Sequence, residues 1–209
     1  MRQPPAPGAL DKFAVNSAQG MDVVWQPLYD YATYAAAGQT SLSFFQTPIG
    51  QAGKTLADTN MESAGQLPAP QKFIVESIAV DFWPGGDVNG STVDGTAVNW
   101  DDVYTVFQSG YLDFQVGSKS RLQQAPIGAF PPSYRLGGGA ALTGAASVAN
   151  TITSVDYASF AGKEFSIIPV TLPATQNFKV TLVWPTAVAI NVDARIGVKL
   201  NGTLFRAVQ

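Results

Sequence analysis

Along most of the chain, apolar and polar residues alternate in short runs, the two-residue period of a strand with one buried face. Tyr111–Val116 is the cleanest run: Leu112, Phe114 and Val116 fall on one side, Tyr111, Asp113 and Gln115 on the other. Residues 178–184 repeat it, with Phe178, Val180, Leu182 and Trp184 opposed to Lys179, Thr181 and Val183. Residues 195–200 place Ile196, Val198 and Leu200 together. Lys72–Trp83 is apolar in both phases, with Ile74, Ile78, Val80 and Phe82 in one and Phe73, Val75 and Ala79 in the other. That pattern predicts a strand covered on both faces. Residues 42–46, 119–124, 151–160 and 203–208 are further strands. In 163–172 the apolar phase switches at Pro169, which predicts a bulge or an edge position. Asn201-Gly202 predicts a type I′ hairpin between 195–200 and 203–208.

Two stretches read as helical instead. In 27–37, Pro27 suits the first helical position, Gly38 the position past the end, and Leu28, Tyr31, Ala32 and Ala35 form one stripe. In 100–108, Asn99 would cap the helix, Asp101 and Asp102 sit in the first turn where the dipole favours anions, and Gly110 closes it. Between the strands, 50–70 is irregular, 87–98 is a polar loop, 125–139 is rich in turn residues, and 137–150 is nearly all small residues and reads as a mobile loop. Residues 1–26 form an extended, Pro-rich arm, either a loose tail or a segment ordered on a neighbouring subunit. The remainder, 27–209, is one domain. The fold expected is all-β: a jelly-roll β-sandwich of about eight strands with short helices in the connections. Two long crossing connections, 84–110 and 125–150, fit a jelly roll better than a meander. No fixed-period repeat runs through the chain.

Composition changes the functional picture. The 209 residues hold 12 basic and 15 acidic side chains, 13% charged, against about 25% in ordinary soluble domains. Charge keeps proteins apart in solution, so a surface this neutral is suited to burial against other copies. Histidine and cysteine are both absent, which removes the commonest catalytic and metal-binding groups and any disulfide framework. The net charge of −3 argues against affinity driven by phosphate neutralisation, so no sequence-specific nucleic-acid binding is expected. No apolar run approaches the roughly 18 residues that span a bilayer, and the opening MRQPPAPGALDKF has no apolar core of a signal peptide.

Candidate chemistry resolves into ordinary structure. Lys54 in GQAGKT imitates a phosphate-binding loop, but the motif needs a glycine at position 48, which is Pro48. Gly137-Gly138-Gly139 lacks the strand–turn–helix frame of a dinucleotide site. Asp101 and Asp102 are adjacent, so on a helix they diverge and do not form an acid/base pair. Asp87 and Asp94 flank a loop that matches no calcium motif. A serine nucleophile would need a base other than histidine. Asn89-Gly90-Ser91 and Asn201-Gly202-Thr203 match the glycosylation pattern, which matters only in a secretory context. No catalytic, cofactor or metal residue is assigned, and no enzyme is expected. Trp25, Trp83, Trp100, Trp184, Tyr29, Tyr31 and Tyr34 admit two readings: a sugar-stacking platform, or rings that fill the core and subunit seams.

Three blocks carry a resemblance. GYLDFQVGSKSRLQQAPIGAFPP (110–132), the ending NFKVTLVWP (177–185) with ARIGVKLNGTLFRAVQ (194–209), and FFQTPIGQAGKTLADTNMESAGQLPAPQKF (44–73) resemble segments of coat proteins of tailless icosahedral bacteriophages. The resemblance implies a jelly-roll major capsid protein: a structural protein of the virion, made in the host cytoplasm, that self-assembles through lateral contacts into an icosahedral shell. It implies other copies of itself as partners, then other virion proteins and an internal membrane, and no cofactor. The subunit-interface candidates are Pro4, Pro5 and Pro7 in the arm, with Trp25, Tyr29, Tyr31 and Tyr34 around the 27–37 element. The alternative is a carbohydrate-binding β-sandwich module or receptor-binding spike domain, which requires exposed aromatics in a row.

Overall fold

The computed structural model describes residues 21–83, 100–131, 134–143, 151–161 and 165–207. Strands β1 (Met21–Trp25) and β2 (Leu28–Tyr34) run end to end along one side of the long strand β11 (Ala194–Ala207). On its other side β11 pairs with β4 (Lys72–Trp83), and β4 pairs with β9 (Phe165–Leu172), completing the first sheet. The second sheet has the order β3 (Ser41–Phe44), β10 (Phe178–Val183), β5 (Tyr111–Val116), β6 (Lys119–Pro126). Every pairing is antiparallel. The chain passes from one sheet to the other between β2 and β3, β3 and β4, β4 and β5, β9 and β10, and β10 and β11, so first and last strands lie side by side. Two four-position sheets wound this way are a jelly-roll sandwich.

The alternation read from the sequence supplies the core. Leu112, Phe114, Val180 and Leu182 from the second sheet meet Ile78, Val80, Ile196 and Val198 from the first, all fully buried. Trp184 closes one end: its ring stands edge-on to Tyr34 at 5.1 Å, and its Nε1 donates to the Val106 carbonyl at 2.9 Å. Val106 belongs to α1 (Trp100–Ser109), the helix expected over 100–108; Asn99, its expected cap, lies outside the described residues.

Three expectations change. The 27–37 stretch is strand β2, not a helix. Leu28, Ala32 and Tyr34 reach the core on one phase of the strand, and pairing with β11 overrides a helical stripe that includes the β-prone Tyr31. Asn201-Gly202 is not a hairpin; β11 runs straight through it, with a register irregularity against β4. A Cβ on Gly202 would lie 1.9 Å from the Ile74 carbonyl oxygen, so the glycine serves a close backbone approach at a bulge. The matching irregularity skips Glu76 in β4 and accounts for part of its two-phase apolar pattern; from Ser77 to Asp81 every residue is buried, so that half is covered on both faces as expected. Phe73 and Val75 before Glu76, and Ile78 and Val80 after it, face the same core. The 137–150 stretch is not all loop: β7 (Tyr134–Thr143) pairs with β8 (Thr151–Ala161) in a two-stranded ribbon of its own, with 144–150 outside the described residues.

β9 behaves as Pro169 foretold. It is the edge strand of its sheet, and its register against β4 shifts between Val75 and Ser77. The arm drawn over 1–26 divides: Met21–Trp25 is β1, paired with the end of β11, and 1–20 lie outside the described residues.

Candidate functional site

Cross-strand register builds the outer face of the first sheet in rows. Tyr31 sits opposite Gly197, which sits opposite Asp81; one row along are Tyr29, Lys199 and Ala79. A Cβ on Gly197 would lie 2.1 Å from the Tyr31 ring, so its absence lets the ring lie flat across β11. From there the Tyr31 hydroxyl donates to Asp81 Oδ2 at 2.8 Å, and Lys199 Nζ reaches the same oxygen at 2.6 Å. The Arg195 guanidinium lies over the Tyr31 ring, 4.3 Å from its centre. Arg195 also donates to the Ala57 carbonyl at 2.5 Å and to Asp58 Oδ1 at 3.1 Å. Asp81 is only 2% exposed, and its Oδ1 has no hydrogen-bond partner among the described residues.

The loop between β3 and β4 is fastened to β2 by a buried carboxylate on the core-facing side of the strand. Asp30 accepts from the Phe45 amide at 2.6 Å and pairs with the Lys54 ammonium. Burial pushes its pKa above the ordinary carboxylate value, with Lys54 and the Phe45 amide opposing the shift. Asp58 shifts the other way: the Thr55 amide, the Thr55 hydroxyl and the Arg195 charge favour its ionised form. The same loop covers the free edge of β2, since the Tyr31 amide donates to the Asp58 carbonyl at 2.8 Å and the Asn60 amide to the Tyr29 carbonyl at 3.4 Å. Lys54, the residue that imitates a phosphate-binding lysine, is therefore a strut. Its GQAGKT segment closes as a turn through a Gly50 amide to Lys54 carbonyl bond of 2.9 Å, with no helix following.

The interface candidates separate. Trp25 is 53% exposed at the end of β1. Tyr29 and Tyr31 come together, ring centres 6.2 Å apart, and Tyr29 spends its hydroxyl on the Leu56 carbonyl at 2.5 Å. Tyr34 is fully buried, its hydroxyl on the Val188 carbonyl at 2.7 Å, so it contributes to the core and to no surface. Pro4, Pro5 and Pro7 lie outside the described residues, as do Asp87, Asp94 and Asn89. Asp102 does more than start a helix: its carboxylate accepts from the amide and side chain of Asn191, tying α1 to the segment before β11. Asn201 is buried in β11 and presents no glycosylation surface. The sequence reading missed Arg195, Asp81, Lys199 and Asp30; the legible signal was a lone aspartate inside each of two strongly apolar or aromatic runs, LYDYATY and IAVDFW.

A polar cleft opens at the turn between β5 and β6, lined by Gln46, Ala64, Gln115, Gly117, Asn177, Phe178 and Lys179. Its one aromatic ring, Phe178, is buried and offers nothing to stack on. Large exposed apolar groups are scattered: Trp25 on β1, Leu56 in the loop after β3, Tyr104 on α1, Ile168 on β9. Among the described residues no three ligating side chains gather for a metal, and no helix is long and apolar enough to cross a membrane. No protein-family model, curated protein or solved structure matches the chain.

Proposed function

We propose that this chain is a coat subunit that closes an icosahedral shell with copies of itself, as its resemblance to the coat proteins of tailless icosahedral phages implies. The observation that carries this reading is the complete jelly-roll sandwich built from a chain only 13% charged. The outer face of the second sheet carries two charges, Lys179 in a row with Gln115 and Asp113 in a row with Ser43 and Thr181, and the next row is Ser41, Val183 and Tyr111. Neutral polar and apolar groups can be buried against a neighbour without stripping water from charges, the step that most often cancels the gain. Burial contributes about 25 cal/mol per Å², less the cost of association. Low charge also limits repulsion among many identical copies.

A sugar-binding module is the weaker reading. It needs a row of exposed rings, and the two most exposed among the described residues, Trp25 and Tyr104, stand on β1 and α1. The test is sedimentation and electron microscopy of the purified full chain. Capsomers or shells are expected; a chain that stays monomeric at high concentration overturns the proposal.

A further inference from the structure

We infer that the β7–β8 ribbon is an assembly element whose β8 edge, unpaired among the described residues, pairs with the β8 edge of a second copy. The inference rests on the coat-subunit reading above and names the contact it uses.

An unpaired strand edge presents a row of backbone donors and acceptors, a template for another chain, and proteins blunt such edges with short strands, bulges, proline, cationic side chains or covering loops. The sandwich uses each device. β3 has four residues and β1 five. β2 is covered by Asp58–Asn60 through the two amide–carbonyl bonds given above. β9 carries a bulge and Pro169. β6 opens on Lys119, contains Arg121 and ends at Pro126.

The ribbon uses fewer: one bulge, at Thr153 near the start of β8, and one cationic residue, Arg135 in β7. β7 and β8 have ten and eleven residues, pair with each other, and among the described residues join neither sheet. β8, TITSVDYASFA, has no proline, glycine, lysine or arginine and a single charge, Asp156. Its β-branched and aromatic residues favour strand pairing. The glycines of the ribbon, Gly137 to Gly139, all lie in β7, so β8 is the stronger template.

Strand number selects the occupant. A two-stranded ribbon is marginal alone in water, and three or more strands are needed for independent stability. A second ribbon docked edge to edge, antiparallel about a two-fold axis, gives the four-strand order β7-β8-β8-β7. Such a contact is self-complementary, so one edge sequence serves both partners. Eleven residues at about 3.4 Å make an edge roughly 35 Å long. At about 10 Å depth that covers roughly 350 Å² per partner, under the roughly 800 Å² of a typical stable interface. The ribbon therefore adds to lateral contacts of the sandwich and does not replace them.

Two measurements on the purified protein test this. In the first, residues 134–161 are replaced by a short Gly/Ser linker and the assembly threshold is compared with wild type by sedimentation. A folded body whose threshold rises by more than about tenfold is expected, since several strand hydrogen bonds exceed the increment that a tenfold change represents. An unchanged threshold overturns the ribbon contact while leaving the coat-subunit reading intact. A wild-type chain that never assembles overturns that reading and the ribbon contact with it. In the second, amide hydrogen exchange is followed on the intact chain, diluted and assembled, which decides the matter even if excision unfolds the body. Within 151–161, the amides directed away from β7 should exchange freely when dilute and become protected on assembly. Equal exchange in the two states overturns the inference.

Discussion

At the scale of single residues, the molecule is decided by a few polar groups in apolar surroundings. Asp30 and Lys54 form a buried pair in which the two partners are not equivalent. Lys54→Met leaves a desolvated carboxylate without its cation, for which a loss of about 3–5 kcal/mol is expected at neutral pH. Asp30→Asn keeps an acceptor for the Phe45 amide and leaves a lysine that can turn toward water, so a smaller loss, about 1–3 kcal/mol, is expected. Acid separates them further. The pKa of Asp30 is raised in the folded state, so the stability linked to its proton is full below the unfolded value and is lost as pH rises through the folded one. Removing Lys54 raises that pKa further, and the deficit of Lys54→Met should therefore shrink as pH falls from neutral. Asp58 has a lowered pKa, and its contribution is present above the ordinary carboxylate value and lost as pH falls through the folded one. Urea unfolding of both variants from pH 7 to pH 4 checks this; a Lys54→Met deficit that widens on acidification refutes the account. Gly197 is equally exposed to test. Gly197→Ala forces the Tyr31 ring off β11 and breaks its bond to Asp81, with an expected loss of about 2–4 kcal/mol. Tyr31→Phe keeps the ring and should cost about 1–2 kcal/mol. A smaller effect for the glycine variant than for the tyrosine variant would mean that the ring is not held as described.

At the scale of elements, period-two alternation was legible wherever strands pair regularly. β5, β10 and the first half of β11 lie as their apolar positions indicate, and the helix before β5 follows from its acidic first turn and closing glycine. Legibility failed where a local signal has two physical uses. Asn-Gly marks a hairpin when both residues need positive φ, but glycine also admits a neighbouring backbone, and only the presence of β4 beside Gly202 decides between them. Pro27 and Gly38 punctuate a strand as readily as a helix, and the partner that makes 28–34 a strand lies about 160 residues away in β11. The two apolar phases of β4 concealed a bulge at Glu76, because a strand covered on both faces, as Ser77–Asp81 is, hides the change of phase that an extra residue makes. The polar network on the outer face joins residues from β2, β4, β11 and a loop, a grouping that no spacing along the chain discloses. The bulge yields its own expectation. Gly202→Ala must displace the Ile74 carbonyl in the centre of the first sheet, so it should destabilise by more than about 3 kcal/mol or abolish folding. Gly50→Ala has no neighbour within 4 Å and carries only the left-handed backbone penalty of about 1–2 kcal/mol. Thermal melts of the two variants rank them directly, and a reversed order would show that β11 can be straightened at no cost.

At the scale of the whole molecule, scarcity of charge and completeness of the sandwich point the same way. Several charges in the body are paired within the chain: Lys54 with Asp30 and Lys199 with Asp81 in largely buried pairs, Arg195 with Asp58 nearer the surface. Internal pairing of this kind removes charge from the surfaces that copies would share. An interface made from such surfaces should respond to salt unlike one held by complementary charges. Between 0.05 and 0.5 M sodium chloride the screening length falls from roughly 14 to 4 Å, estimated from its inverse-square-root dependence on ionic strength. Charge-driven assembly would weaken sharply over that range. Assembly through neutral polar and apolar area should change its threshold by no more than about threefold, and sulfate should lower the threshold because it strengthens apolar burial. Light scattering across the two salt series measures both effects. A threshold that climbs steeply in sodium chloride would place charged pairs at the contacts and remove the physical basis for a shell built from neutral flanks.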